Sequence, residues 1–301
     1  MHQSTLMPPP TLQDFLNHHQ LPDSYAETID NYVRPMAQAL AQQHAQEVRP
    51  LIVGVNGCQG SGKTTLSDAM VMILAGEYQL KAVAISIDDF YLTKAERETL
   101  ATEVHPLLRT RGVPGTHDVS LALETLEALT QDSGLVAIPR FDKSQDDRAA
   151  KEDWDRQQSP LDIIILEGWC VGAEAEPMNG LMDPINELEA LEDPEGNWRH
   201  YVNAQLQLGY KELFNKLDAR IMLQAPSFDC VYRWRLEQEE KLKQKTSGSG
   251  IMSESDILRF IQHYQRITEN TLKRLPDKVN FLMVLDSQRR ITSFQQPIAL
   301  S

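Results

Sequence analysis

The chain lacks the features that mark secreted, membrane-spanning and nucleic-acid-binding proteins. It has three cysteines in 301 residues, Cys58, Cys170 and Cys230, and their spacing suits neither a disulfide framework nor a metal site. No apolar run approaches a membrane span, and the N-terminal residues have no secretion signal. Basic residues are few, with 29 Lys and Arg against 43 Asp and Glu and a net charge of −14. We therefore expect a cytoplasmic protein without nucleic-acid or membrane partners, and its oligomeric state stays open.

What the chain does contain is a phosphate-binding loop. Residues 57–64, GCQGSGKT, fit the pattern G-x-x-x-x-G-K-[ST]. An apolar run at 51–55 precedes this segment and a helical pattern follows it. Successive backbone N–H groups and the helix N-terminus can surround one anion there. Lys63 is expected to reach the β- and γ-phosphates of a nucleoside triphosphate, and Thr64 to ligate Mg²⁺. The predicted nucleotide contacts are Gly57, Cys58, Gln59, Gly60, Ser61, Gly62, Lys63, Thr64 and Thr65. We interpret Cys58 as a small filler rather than a redox-active thiol.

Strand and helix patterns alternate along the rest of the chain. The predicted strands are 51–55, 82–87, 134–138, 161–166, 219–224 and 279–285. The predicted helices are 63–80, 120–130, 201–217, 228–243 and 253–275. This alternation predicts an α/β fold of the P-loop NTPase type, with a mostly parallel sheet and helices on both faces.

The chain divides at about residue 48. Residues 1–48 are predicted to be a helical extension packed on the domain edge, and 49–301 the P-loop kinase domain. Within that domain we expect an acidic excursion at about 172–197 and a helical lid at about 228–250. The composition of 245–250, KTSGSG, predicts a flexible end to the lid.

Adjacent carboxylates follow the second predicted strand. Carboxyl ends of parallel strands meet at the ligand-binding edge of a sheet, so Asp88 and Asp89 are expected beside the phosphate loop. Phosphoryl transfer to an alcohol needs a carboxylate that accepts the hydroxyl proton. Asp88 is our first candidate for this base and Asp89 the second, because neighbouring strand residues point apart. A helix cap or turn is the purely structural alternative.

Further charged residues follow the later strands. Glu167 ends the apolar strand at 161–166 and is predicted to order Mg²⁺. The loops Arg111–Asp118 and Pro139–Arg148 carry polar side chains that can bind an anionic or hydroxylated acceptor. On the predicted lid, Arg233 or Arg235 is expected to neutralise charge on the transferring phosphoryl group. Solvated charges and surface ion pairs are the structural alternatives.

The order of these motifs resembles the uridine kinase, phosphoribulokinase and pantothenate kinase superfamily. More specifically, the chain is similar to the D-glycerate 3-kinases of plants and bacteria. The segments that carry the resemblance are NGCQGSGKTT at 56–65, SIDDFYLT at 86–93, RGVPGTHD at 111–118, RFDKS at 140–144 and LEGW at 166–169. The resemblance covers about Leu51 to the C-terminus, while residues 1–48 carry no motif.

The resemblance implies that ATP phosphorylates D-glycerate to 3-phosphoglycerate, with Mg²⁺ as cofactor and the aspartate at the position of Asp88 as base. A glycerate site needs a cation for the carboxylate and partners for the hydroxyl groups. The candidate acceptor-binding residues are Asp89, Tyr91, Arg111, His117, Asp118, Arg140, Asp142 and Arg148. Which arginine meets the carboxylate is left open.

Two other functions compete with this interpretation. One is a kinase of another small alcohol, such as a nucleoside or pantothenate, and the other is an ATP-binding regulator without an acceptor. A GTPase would need an N-K-x-D motif, and Asn215-Lys216-Leu217-Asp218 matches it literally. It falls on a predicted helix before a strand, rather than after a strand, so we interpret the match as coincidence.

Overall fold

The computed structural model describes residues 11–245 and 253–300. Its strands are β1 (Leu51–Gly57), β2 (Ala82–Ser86), β3 (Leu135–Ile138), β4 (Phe141–Asp142), β5 (Asp147–Arg148), β6 (Asp155–Gln158), β7 (Ile163–Gly168), β8 (Ala219–Gln224), β9 (Phe281–Leu285) and β10 (Ile291–Gln295). Its α-helices are α1 (Leu12–His18), α2 (Tyr25–Thr28), α3 (Arg34–Glu47), α4 (Lys63–Tyr78), α5 (Lys94–Glu103), α6 (Val119–Thr130), α7 (Glu187–Glu192), α8 (Asn197–Gln207), α9 (Gly209–Phe214), α10 (Phe228–Lys245) and α11 (Glu254–Arg274). None of these helices is both long and apolar enough to cross a membrane.

The central sheet has six strands in the order β10-β9-β8-β1-β7-β2. The five strands β9, β8, β1, β7 and β2 are parallel to one another, and β10 pairs antiparallel with β9 at the edge. The carboxyl ends of β1, β7 and β2 are therefore neighbours. This places the segments after Gly57, Glu167 and Ser86 side by side, which is the arrangement that the sequence predicts.

Both faces of the sheet are covered, which explains the apolar runs of its central strands. Alternate residues of β7 enter two separate core clusters, Ile163 and Ile165 on one face and Ile164 and Leu166 on the other. The first cluster includes residues of α3, α4 and α10, and the second includes residues of α6, α8, α9 and α11. The predicted α/β fold is confirmed.

The N-terminal extension is built into the first cluster. Ile29, Val33, Met36 and Leu40 are fully buried there. A π-helical turn, Ile29–Val33, joins α2 to α3. The described part of the extension is thus helical and consists of α1, α2, the π-helical turn and α3. Residues 1–10 lie outside the described part of the chain, as do residues 246–250 of the predicted lid.

Three local predictions need correction. The helix predicted at 201–217 is two helices, α8 and α9, because Leu208 has a non-helical backbone between them. The strand predicted at 134–138 is β3, which pairs antiparallel with β6 in a separate two-stranded sheet. The acidic excursion, which its composition predicts to lie outside the core, contains α7, whose Leu188 is buried in the second core cluster.

Candidate active site

The phosphate loop joins β1 to α4. Gly60 and Gly62 have φ angles of 77° and 93°, in the left-handed region that a residue with a side chain rarely adopts. The Ser61 hydroxyl is buried and has no hydrogen-bond partner among the described residues. Arg289, in the β9–β10 turn, donates a hydrogen bond from Nε to the carbonyl of Gly60 at 2.7 Å. A distant segment therefore supports the loop from the side.

Three side chains meet where α4 begins. Glu167 on β7 lies opposite Val55 of β1, which brings its carboxylate to the loop. Thr64 Oγ1 donates to Glu167 Oε1 at 3.0 Å, and Lys63 Nζ lies 3.7 Å from Glu167 Oε2. Burial alone would lower the pKa of Lys63, but Glu167 and Asp88 outweigh it and raise the pKa. Lys63 is therefore held as a cation beside two carboxylates.

This cluster suits a magnesium ion. Glu167 is 4% exposed, and its Oε2 atom has no hydrogen-bond partner in the described part of the chain. A carboxylate and a hydroxyl are the hard oxygen ligands that Mg²⁺ prefers, and Mg²⁺ usually takes few protein ligands beside phosphate oxygens and water. Consistent with that, residues 11–245 and 253–300 contain no group of three or more His, Cys, Asp or Glu able to hold a metal by themselves.

Asp88 lies just beyond β2, whose last residue, Ser86, is opposite Glu167. Its carboxylate accepts hydrogen bonds from the Tyr91 hydroxyl at 2.9 Å and from Lys143 Nζ at 3.2 Å. Burial alone would raise the pKa of Asp88, but Lys143, Lys63 and the Tyr91 hydrogen bond outweigh it, and the net pKa is lowered. The carboxylate is therefore ionised at neutral pH and available as a proton acceptor.

Asp89 points to other partners. Its carboxylate accepts from Arg140 Nη1 at 2.6 Å and from the backbone N–H of Phe141 at 3.3 Å. Arg140 also donates to Asp155, at 2.8 Å from its Nε. Asp89 thus fastens the β2 end to the loop at 140–141, and its position favours Asp88 over Asp89 as the base.

The loop from Arg111 to Asp118 is held by two aromatic residues. Trp169 Nε1 donates to the Gly112 carbonyl at 3.1 Å, and the Tyr264 hydroxyl donates to the Arg111 carbonyl at 3.2 Å. Gly112 has a φ of 140°, and a Cβ atom there would lie 2.1 Å from the Tyr264 hydroxyl. Glycine is therefore required at position 112 for the close approach of Tyr264. The hydrogen bond from Trp169 joins the RGVPGTHD and LEGW segments in space.

His117 is brought to Asp88 by this loop. Its ring stacks on Tyr91, with centroids 4.4 Å apart, and only 5% of the residue is exposed. Its Nδ1 lies 2.6 Å from the Tyr210 hydroxyl, which also accepts from the Gly115 N–H at 3.0 Å. The phenol is best satisfied if it donates its proton to Nδ1, which leaves the other proton on Nε2. Burial lowers the pKa of His117 to about 4, so the ring is neutral.

The Nε2 atom of His117 has no hydrogen-bond partner among the described residues. With the proton on Nε2, this buried group is a donor without an acceptor. Such a group costs free energy unless a ligand pairs with it. His117 therefore has the properties expected of an acceptor-binding residue.

Other predicted acceptor residues have structural partners. Asp118 accepts from the Leu121 N–H at 3.0 Å as the N-cap of α6, and from Arg148 Nη2 at 3.0 Å. The half-buried Asp142 accepts from the backbone N–H and the hydroxyl of Ser144 in the turn between β4 and β5. For these two aspartates the local contacts agree with the structural alternative. All three candidate arginines are ion-paired: Arg111 with Asp146, Arg140 with Asp89 and Arg148 with Asp118.

The two predicted lid arginines point to different surroundings. Arg233 donates to Cys230 Sγ at 3.1 Å and is exposed, whereas Arg235 lies over the ring of Phe260, 5.8 Å from its centroid. Their roles stay predictions. The Cys58 thiol is buried, which raises its pKa to about 12 although Lys63 opposes the effect, so a reactive thiolate is disfavoured.

Sequence reasoning missed some members of the site. Tyr210 and Arg289 belong to no motif. Lys143 was expected to pair with an anionic acceptor or with phosphate, and its contact with Asp88 was not predicted. The N-K-L-D match is correctly set aside, because Asp218 accepts from the Ile52 N–H at 2.8 Å at the start of β8. That end of the sheet is opposite the phosphate loop.

The chain is similar to several known proteins. The model of the phosphoribulokinase / uridine kinase family matches residues 52–185. An uncharacterized kinase of Schizosaccharomyces pombe is 34% identical over 262 residues, which are 84% of this chain and 92% of that protein. The chloroplastic D-glycerate 3-kinase of Arabidopsis thaliana is 33% identical over 228 residues, 72% of this chain and 47% of that protein. The solved D-glycerate 3-kinase of Cryptococcus neoformans has a TM-score of 0.72 at 26% identity, over 88% of this chain and 98% of that one.

Proposed function

The chain belongs to the phosphoribulokinase and uridine kinase family of P-loop kinases, in the group that contains the D-glycerate 3-kinases, and we propose that it phosphorylates D-glycerate at the 3-hydroxyl with ATP. The family resemblance of the sequence is thereby confirmed. The kinase class follows from the family, whereas the acceptor is our proposal. The S. pombe relative is named only as a kinase, and the relatives from Arabidopsis and Cryptococcus are named as D-glycerate 3-kinases.

The nucleotide end of the proposed site is the cluster around Lys63. The loop amides and Lys63 would bind the β- and γ-phosphates, and Thr64 and Glu167 would hold Mg²⁺ directly or through water. When bound, Mg²⁺ neutralises charge on the phosphate oxygens. The half-buried Lys63 adds a fixed positive charge at the same place, which would stabilise the transition state with little reorganisation of solvent.

Asp88 would act at the acceptor end. The 3-hydroxyl oxygen attacks the γ-phosphorus, the bond between that phosphorus and the β,γ-bridging oxygen breaks, and ADP leaves. Asp88 takes the hydroxyl proton. Its two hydrogen bonds, from Tyr91 and Lys143, fix the orientation of the carboxylate.

The acceptor class is supported by one observation above all. Two buried donors without hydrogen-bond partners in the described part of the chain lie beside Tyr91: His117 Nε2 and Arg148 Nε. The His117 ring stacks on Tyr91, and Arg148 donates from Nη2 to the Tyr91 carbonyl at 3.1 Å. Unpaired donors around Tyr91, whose hydroxyl bonds to Asp88, favour a small acceptor rich in oxygen, such as a hydroxy acid. Arg148 is our candidate for the carboxylate.

The test is ADP release from Mg-ATP with D-glycerate, L-glycerate, uridine and pantothenate as acceptors. We expect turnover with D-glycerate alone and 3-phosphoglycerate as product. Turnover with uridine or pantothenate instead would keep the chemistry and overturn the substrate. Tight ATP binding without turnover on any acceptor would favour a regulator. A cytoplasmic location is part of the proposal, supported by three buried free cysteines.

A further inference from the structure

A cavity of about 520 Å³ adjoins the phosphate loop. Its size falls within the usual range for small-molecule pockets, about 300–1,000 Å³. Ser61, Gly62 and Thr65 line the end next to the loop. A molecule held by its phosphates in the loop can therefore extend into this cavity.

One wall of the cavity is the β9–β10 hairpin. Leu285 and Ile291 supply apolar surface there, and Arg289 lines the cavity while donating to the Gly60 carbonyl. The Arg289 guanidinium also lies over the Trp234 ring, 5.0 Å from its centroid, and pairs with Glu237 at 2.7 Å. This wall is thus fixed to both the phosphate loop and α10.

A further wall comes from the N-terminal extension. Tyr25, Thr28, Asn31 and Tyr32 line it. The Asn31 side chain is exposed and makes no hydrogen bond within residues 11–245 and 253–300. Asn31 belongs to the π-helical turn Ile29–Val33, and such turns occur frequently at functional sites. The extension therefore presents an unpaired amide to the cavity from an unusual backbone element.

The extension is anchored well enough to serve as a wall. Ile29 and Val33, on either side of Asn31, are fully buried in the first core cluster. Tyr32 packs edge-on against Phe294 of β10, with ring centroids 5.5 Å apart. The segment is thus tied directly to the hairpin that forms the other wall.

We propose that this cavity binds the purine base of the nucleotide and that residues 21–32 of the extension determine its fit. Asn31 is the residue that contacts the base edge, because its amide offers one donor and one acceptor, as the edge of adenine requires. The proposal rests on the proposed function, since the triphosphate must occupy the loop. It gives the extension a part in nucleotide specificity, beyond packing on the domain edge.

The experiment compares two ligands of the full-length chain, Mg-ATP and inorganic magnesium tripolyphosphate, by calorimetry. Tripolyphosphate occupies the phosphate loop and has no base. The variants are Thr28→Trp, which fills the cavity, and Asn31→Ala, which removes the amide. Asn17→Ala is the matched control, because Asn17 is an exposed residue of α1 whose side chain accepts a hydrogen bond from Gln13 and lines no part of the cavity.

We expect Thr28→Trp to weaken Mg-ATP binding at least 10-fold and Asn31→Ala about 5-fold, with tripolyphosphate binding unchanged in both. Asn31→Ala should also reduce the preference for ATP over GTP. ATP binding that is unchanged in both variants would overturn the inference and leave the proposed function intact, as would equal losses for both ligands. Wild-type protein that binds neither ligand would overturn the proposed function as well.

Discussion

Asp88 and Asp89 are neighbours in the chain, yet their carboxylates share no hydrogen-bond partner within the described residues. Asp88 accepts from Tyr91 and Lys143, and Asp89 accepts from Arg140 and the Phe141 backbone. Burial raises the pKa of Asp89, with Arg140 opposing, whereas the net pKa of Asp88 is lowered. The same Asp-to-Asn substitution can therefore be made at either position, and the activities of the two variants can be compared.

The Asp88→Asn substitution should abolish turnover while nucleotide binding persists. An amide cannot accept the hydroxyl proton, and loss of a general base usually lowers kcat by about 10²–10⁴-fold. Steady-state kinetics and ATP titration of the variant check this. Asp89→Asn is the control. We expect it to lower the thermal stability and to have a much smaller effect on kcat than Asp88→Asn has. Near-normal turnover in Asp88→Asn would show that another group is the base.

The Lys143→Met substitution should move the acidic limb of the pH profile of kcat/KM to higher pH. Lys143 lowers the pKa of Asp88, and activity is lost as pH falls through that pKa. Removal of the cation raises the pKa, so the loss begins at a higher pH. Lys151→Met, a change near Trp154 outside the site, is the control. An unshifted limb would contradict the coupling between Lys143 and Asp88.

The Glu167→Gln substitution should raise the Mg²⁺ concentration for half-maximal activity about 10-fold or more, because a neutral amide is a weaker magnesium ligand. Binding of metal-free ATP should persist or tighten, since a negative charge is removed beside the phosphates. Glu174→Gln, which removes a surface ion pair with Lys278, is the matched control. Identical magnesium activation in both variants would exclude Glu167 from the metal site.

The His117→Ala substitution should raise KM for the acceptor about 10-fold and leave KM for ATP unchanged, because it removes a buried donor at the acceptor end only. Tyr210→Phe should act in the same direction, since the phenol donates to Nδ1 of His117 and so keeps the ring proton on Nε2. The measurement is a two-substrate kinetic analysis. Parallel increases in both KM values would indicate a general disturbance of the site instead.

The Gly112→Ala substitution should lower the free energy of unfolding by about 3 kcal/mol or more, since backbone strain adds to a clash with Tyr264. Gly134→Ala is the matched control. Gly134 also has a positive φ, of 80°, but nothing lies within 4 Å of the position that its new methyl group would take, so we expect about 1 kcal/mol. Denaturant unfolding measures both. Equal losses would mean that Tyr264 moves freely out of the way.

Sequence motifs predicted those parts of the site that depend on strand ends. Gly57 and Ser86 end their strands, Glu167 lies one residue before the end of β7, and these strands are neighbours in the sheet. The placement of Lys63, Asp88 and Glu167 therefore followed from a general rule about parallel sheets. The rule needs only local patterns. It was therefore reliable even where helix and strand boundaries shifted by a few residues.

Contacts between distant segments could not be predicted in this way. Tyr210 reaches His117 only because α9 packs beside α6, and Arg289 reaches Gly60 only because β10 turns back along β9. Neither residue has a distinctive neighbour in the sequence. β10 itself escaped prediction, since its short alternating pattern at a sheet edge resembles that of a loop.

The unpaired polar atoms of the site have a consequence for how this sequence can change. Ser61 Oγ, Glu167 Oε2 and His117 Nε2 are buried without hydrogen-bond partners among the described residues, and each costs free energy until a ligand arrives. Replacing Ser61 with an apolar residue of similar size would remove such a cost, whereas replacing Glu167 or His117 would in turn leave Lys63 or Tyr210 without its partner. The empty protein therefore carries a free-energy cost in its site that only a bound ligand offsets, so we expect ligand binding to raise its stability as well as to occupy the site.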